Sequence, residues 1–91
     1  IERAEALPEG VQPLIDLLKV LLKARAEMHS VAPRLIASAD DIDRIAAEDT
    51  PDVPALTGWR REVFGEAALE LKRGRLALSA EGGRIILVPR T

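Results

Sequence analysis

Few side chains in this 91-residue chain are equipped for bond-making chemistry. A serine or threonine nucleophile would need a histidine base and a carboxylate to orient it. The one histidine, His29, falls at the end of a predicted helix, where a cationic residue already has a capping role beside the last carbonyls. Asp40, Asp41 and Asp43 are the nearest approach to a cation site. On a helix, however, Asp40 and Asp41 diverge by about 100 degrees, and their place in a first turn suits capping instead. Gly82-Gly83 is not followed by the Lys-Ser or Lys-Thr of a phosphate-binding loop. No cysteine is present, so disulfides, thiolate ligands and thiol nucleophiles are excluded. The reading is a chain with no catalytic residue, no metal ligand and no cofactor site of its own.

What remains is a set of groups suited to contact rather than reaction: Trp59, Arg60, Arg61, Lys72, Arg73 and Arg75. Guanidinium and ammonium groups neutralise phosphates, and an indole stacks on a base. The same residues also suit a solvated helix side, with Val63 and Phe64 on the other side and Trp59 in the core. Both readings stand at this point. Residues 1–50 hold six basic against ten acidic side chains, and residues 51–91 hold seven against five. A local basic patch is compatible with that balance and a strongly basic domain is not.

The elements that would hold these groups are mainly helical. Pro8-Glu9-Gly10 closes a linker or docking segment over residues 1–10. A first helix is predicted over Gln12 to His29, with Asp16, Lys19, Lys23 and Glu27 as its polar stripe. Leu14, Ile15, Leu17, Leu18, Leu21, Leu22 and Met28 cover the other sides. Pro33 sets an extended or loosely turned path over Val31 to Ala37 that buries Leu35 and Ile36. Ser38 caps a helix over Ala39 to Glu48 that buries Ile42, Ile45 and Ala46. A short turn around Val53 to Leu56 ends at Gly58, and Gly65 separates the Trp59 segment from a last helix over Glu66 to Lys72. That helix turns Leu69 and Leu71 inward, and Gly74 closes the helical part, 11–74.

Residues 75–91 change period and read as a hairpin turning at Gly82-Gly83, which pairs Glu81 with Arg84, Ala80 with Ile85 and Leu78 with Leu87. Leu76, Leu78, Ala80, Ile85 and Leu87 then face the helices. Ile86 and Val88 face outward, as candidates for packing against a neighbouring domain or as ordinary exposed strand residues. The fold class is mainly α, a small bundle with a long first helix, several short ones and a C-terminal β-hairpin. Trp59 and Phe64 are the only aromatics, so the core is aliphatic. No apolar run approaches the roughly 20 residues of a membrane helix, so no membrane partner is expected. Absent cysteines fit a cytoplasmic setting, and a start at Ile1 suggests a segment of a longer polypeptide.

Three segments in order carry a family resemblance. The leucine-rich helix is followed by Val31-Ala-Pro-Arg-Leu-Ile-Ala-Ser-Ala-Asp-Asp-Ile-Asp-Arg-Ile-Ala-Ala47, and then by Leu56-Thr-Gly-Trp-Arg-Arg-Glu-Val-Phe-Gly65. Over about Pro8 to Gly74 this resembles the HRDC domain, the helicase and ribonuclease D C-terminal module. With Leu71-Lys-Arg-Gly74 and the hairpin it is most like the last domain of bacterial ribonuclease D. The resemblance implies a parent enzyme that trims RNA from the 3′ end, transfer RNA precursors included, with divalent metal ions held in a separate exonuclease domain. It further implies RNA and the exonuclease and other HRDC domains of the same polypeptide as partners. This chain's part would be to position RNA without sequence specificity. The alternative is an interdomain packing module that never touches nucleic acid.

Overall fold

From Leu14 to Ser30 the chain has no proline or glycine, so backbone hydrogen bonding runs on unbroken, and in the computed structural model, which describes residues 10–90, helix α1 spans Val11–His29. The expected linker falls outside the described residues except for Gly10. Ile15, Leu18, Leu21, Leu22 and Ala26 are buried on one side of α1, and Asp16, Lys19, Lys23 and Glu27 form the expected exposed stripe. Leu17 and Met28 do not join the core: they are 39% and 52% exposed. The wide apolar arc is therefore two faces, only one of them covered. His29 is exposed in the last turn, but the carbonyls of Ala26 and Glu27 accept from the backbone N–H groups of Val31 (3.0 Å) and Ser30 (3.3 Å). Ser30, at φ 57, takes the left-handed place that glycine usually fills.

Pro33 holds Ala32 extended, at φ −65 and ψ 135, yet its own φ suits the first position of a helix. The expected loose path is instead one helical turn, α2 (Pro33–Ile36). A single turn can point only one of two neighbours inward: Ile36 is buried, whereas Leu35 is 54% exposed, against expectation. Helix α3 (Ala39–Ala47) opens with a reciprocal cap, in which the Asp41 N–H donates to Ser38 Oγ at 3.1 Å and the Ser38 N–H donates to Asp41 Oδ2 at 3.5 Å. Asp41 is thus occupied by helix initiation. Ile42, Ile45 and Ala46 are buried as their spacing requires.

A 3-10 turn over Pro54–Leu56 leads to Gly58, and from there one uninterrupted helical path runs through α4 (Gly58–Arg60), a π turn (Arg61–Gly65) and α5 (Glu66–Lys72). Gly65 does not separate two elements. It is helical, at φ −58 and ψ −42, and it is buried because the path crosses the 3-10 turn there at very short range. An added Cβ would lie 2.4 Å from the Ala55 carbonyl oxygen. Phe64 beside it is fully buried and is the largest such side chain. A π turn disturbs the regular i→i−4 pairing, and one of its carbonyls, that of Val63, accepts from Arg25 Nε of α1 at 2.6 Å.

Leu69 and Leu71 point inward from α5. Beyond Gly74, strands β1 (Leu76–Glu81) and β2 (Arg84–Pro89) pair antiparallel in the expected register around Gly82 and Gly83. Both glycines have positive φ, as a two-residue turn that matches strand twist demands. Leu76, Leu78 and Leu87 pack against the core, so the hairpin is anchored at its base. Toward the tip the expected inward face holds only in part: Ala80 is exposed, whereas Ile85 is half-buried and faces α1 across a cleft. Ile86, expected outward, is half-buried and lines the same cleft, while Val88 is exposed as expected.

Candidate nucleic-acid interface

The six candidate residues sit at opposite ends of the Gly58–Lys72 path. Lys72 lies thirteen positions beyond Trp59, roughly 20 Å at a helical rise, so they form two groups rather than one patch. Trp59 is 44% exposed and is not a core residue. The Arg60 guanidinium lies over its ring, 4.7 Å from the centroid, and is fixed there because Arg60 Nε donates to the Leu35 carbonyl at 2.9 Å. The pairing orients the indole and leaves its surroundings positive. Exposed Leu35 of α2 anchors this pair through its carbonyl, a contribution from a distant segment that sequence spacing does not reveal. Arg61 turns elsewhere: its Nε bonds Glu66 Oε1 at 2.9 Å, and its Nη1 donates to the Leu56 carbonyl at 3.4 Å. Its charge is largely spent within the fold.

At the other end, the helix is closed by the Gly74 N–H to the Leu71 carbonyl and the Arg75 N–H to the Glu70 carbonyl. That closure places Arg73 and Arg75 on either side of Gly74, both exposed. Arg90 joins them, because its N–H donates to the Arg75 carbonyl at 2.8 Å and its Nη1 lies against Gly74. Sequence reading missed Arg90; the hairpin register, extended one residue past Pro89, is the signal that brings it back to Arg75. Arg75 makes only a long contact to Glu70, 3.9 Å. Among the described residues nothing pairs Arg73. Lys72 is different again, half-buried with its ammonium on the Glu48 carbonyl at the end of α3.

Glu48 is the hub of that junction. Its carboxylate takes Arg44 Nε at 2.9 Å and Arg44 Nη2 at 3.3 Å, while its carbonyl takes Lys72. The hydrogen bond from Arg44 holds the Glu48 carboxyl below the ordinary glutamate value, and the same pairing raises Arg44. A carboxylate with a depressed folded pKa stabilises the fold above its unfolded pKa and loses that contribution as pH falls through the folded value. Stability measured by urea midpoint is therefore expected to decline below about pH 4.3, and Glu48→Gln is expected to flatten part of that decline. The effect is small, since the pair is solvent-exposed.

Fold and site together define a mainly helical domain with an exposed Trp-Arg pair at one end and an arginine group at the other. Among the described residues no group of three or more His, Cys, Asp or Glu could hold a metal ion, and no helix is long and apolar enough to cross a membrane. The chain is 59% identical to ribonuclease D of Granulibacter bethesdensis over 82 residues, which cover 87% of this chain and 21% of that protein. It is 54% identical to ribonuclease D of Acidiphilium cryptum, over 97% of this chain and 23% of that protein, and 48% identical to that of Gluconacetobacter diazotrophicus, over 98% and 26%. The chain spans about a quarter or less of the length of these curated relatives. It is a homologue of one segment of ribonuclease D. No family model matches it, and no solved structure does.

Proposed function

We propose that this chain is the C-terminal HRDC-like domain of a ribonuclease D, and that it positions structured RNA such as transfer RNA precursors beside a separate, metal-dependent 3′-5′ exonuclease domain in the cytoplasm. The similarity to ribonuclease D supports the parentage. The observation that carries the RNA-contact role is the exposed indole of Trp59, preoriented by Arg60. An unpaired base stacks on its open face, and Arg73, Arg75 and Arg90 hold backbone phosphates farther along the molecule. Arg61 and Lys72, both engaged within the fold, contribute less than the sequence suggested.

The test is Trp59→Ala in the full-length enzyme, titrated with a transfer RNA precursor that has an unpaired 3′ end. Base–aromatic stacking is worth about 1–3 kcal/mol per base, so affinity is expected to fall roughly tenfold while the thermal transition stays in place. Unchanged affinity would remove stacking from the account.

A further inference from the structure

Leu17, Val20, Ala24 and Met28 recur at intervals of three, four and four along α1, and this is the apolar face that the core leaves uncovered. Leu17 and Val20 are each 39% exposed and Met28 is 52% exposed. The stripe runs into the cleft of about 750 Å³ between α1 and the hairpin tip, where Val20, Ala24 and Met28 face Ile85 and Ile86. An apolar strip of this kind, contiguous and walled on one side by a β-ribbon, differs from scattered exposed residues in having the form that interaction surfaces take.

We infer that this groove seats an amphipathic segment of the same polypeptide, from outside these 91 residues, with an apolar ridge laid along α1. That inference rests on reading the chain as one domain of a longer ribonuclease D. Two observations select this occupant. The chain accounts for only about a fifth of the length of relatives such as that of Granulibacter bethesdensis, so on that reading most of the polypeptide lies elsewhere. Tethering also gives a segment of that polypeptide a high effective concentration at the groove. In addition, the rim carries both signs, Lys23 and Arg84 against Glu27 and Glu81, which complements a mixed-charge protein segment. A polyanionic RNA backbone calls for a rim of one sign.

Met28 is the only methionine of the chain and reports directly on the groove. In the full-length protein without RNA, its oxidation by hydrogen peroxide is expected to be at least tenfold slower than that of methionine in an unstructured peptide. Val20→Asp, at an exposed position, is expected to restore the fast rate without shifting the thermal transition. A benzophenone amino acid in place of Leu17 is expected to crosslink to polypeptide outside residues 1–91. The inference is overturned if Met28 oxidises at the peptide rate, if Val20→Asp leaves it protected, or if protection grows with protein concentration. Crosslinks to a second copy or to residues 1–9 overturn it equally. None of these outcomes bears on the RNA affinity read from Trp59→Ala, so the two readings fail separately.

Discussion

Phe64→Ala is expected to lower the stability of the chain by about 3–5 kcal/mol, the range for truncating a fully buried aromatic. The side chain has no exposed surface and sits in the π turn between α4 and α5, within the single core cluster that α1, α3 and the 3-10 turn share. No other aromatic can fill the space, since Trp59, the remaining one, lies on the surface. A domain of this size has about 5–14 kcal/mol in total, so a large share is lost. Urea unfolding read by circular dichroism is the measurement: a midpoint shifted strongly downward at unchanged slope is the expected result. A shift of less than about 1 kcal/mol would mean that the core closes without the ring.

Gly65→Ala is expected to destabilise, although helix propensity alone gives the opposite sign by about 1 kcal/mol. The backbone at Gly65 is ordinary right-handed helix, so no conformational strain forbids alanine. The obstacle is space. The new Cβ would sit 2.4 Å from the Ala55 carbonyl oxygen, 2.9 Å from Leu56 Cδ2 and 3.2 Å from Leu56 Cα. Two of those three are backbone atoms that cannot rotate away, so the 3-10 turn and the helical path must separate. Overpacking of this kind costs typically 1–3 kcal/mol, and an approach of 2.4 Å to a backbone atom puts this site in the upper part of that range, beyond the propensity gain. Thermal denaturation decides the sign, and a variant more stable than the parent would contradict the close approach of the two segments.

The contrast between these two residues shows what the sequence made legible. Apolar periodicity located α1, α3, α5 and the hairpin register to within a residue or so, because burial of one face imposes spacings of three and four or of two. It could not separate a glycine that breaks a helix from one that lets two segments touch. Gly65 therefore read as a boundary, and the unbroken path from Gly58 to Lys72 was missed. Periodicity also placed Leu17 and Met28 on the apolar sides of α1, since it reports how wide an apolar arc is but not how much of it finds a neighbour. The extended path expected around Pro33 buried Leu35, where one helical turn exposes it. For the candidate site, residue types picked out Trp59, Arg60, Arg73 and Arg75. Which charges were already committed depended on contacts 5 to 25 positions apart, such as Arg61 to Glu66, Lys72 to Glu48 and Arg60 to Leu35. Leu35 and Arg90 entered the site only through tertiary structure.

The central claim is that this segment holds RNA through charge at its arginine group as well as through stacking. The salt dependence of binding reads that charge most directly, because each phosphate contact contributes about 0.7 to 0.9 to the slope of log affinity against log salt. The measurement compares the full-length enzyme with its Arg73→Ala, Arg75→Ala, Arg90→Ala triple variant on a transfer RNA precursor across a series of salt concentrations. All three side chains are exposed, so the fold is left intact. A slope shallower by roughly 2, with affinity lost at low salt, is the predicted result; parallel lines of equal affinity would contradict it.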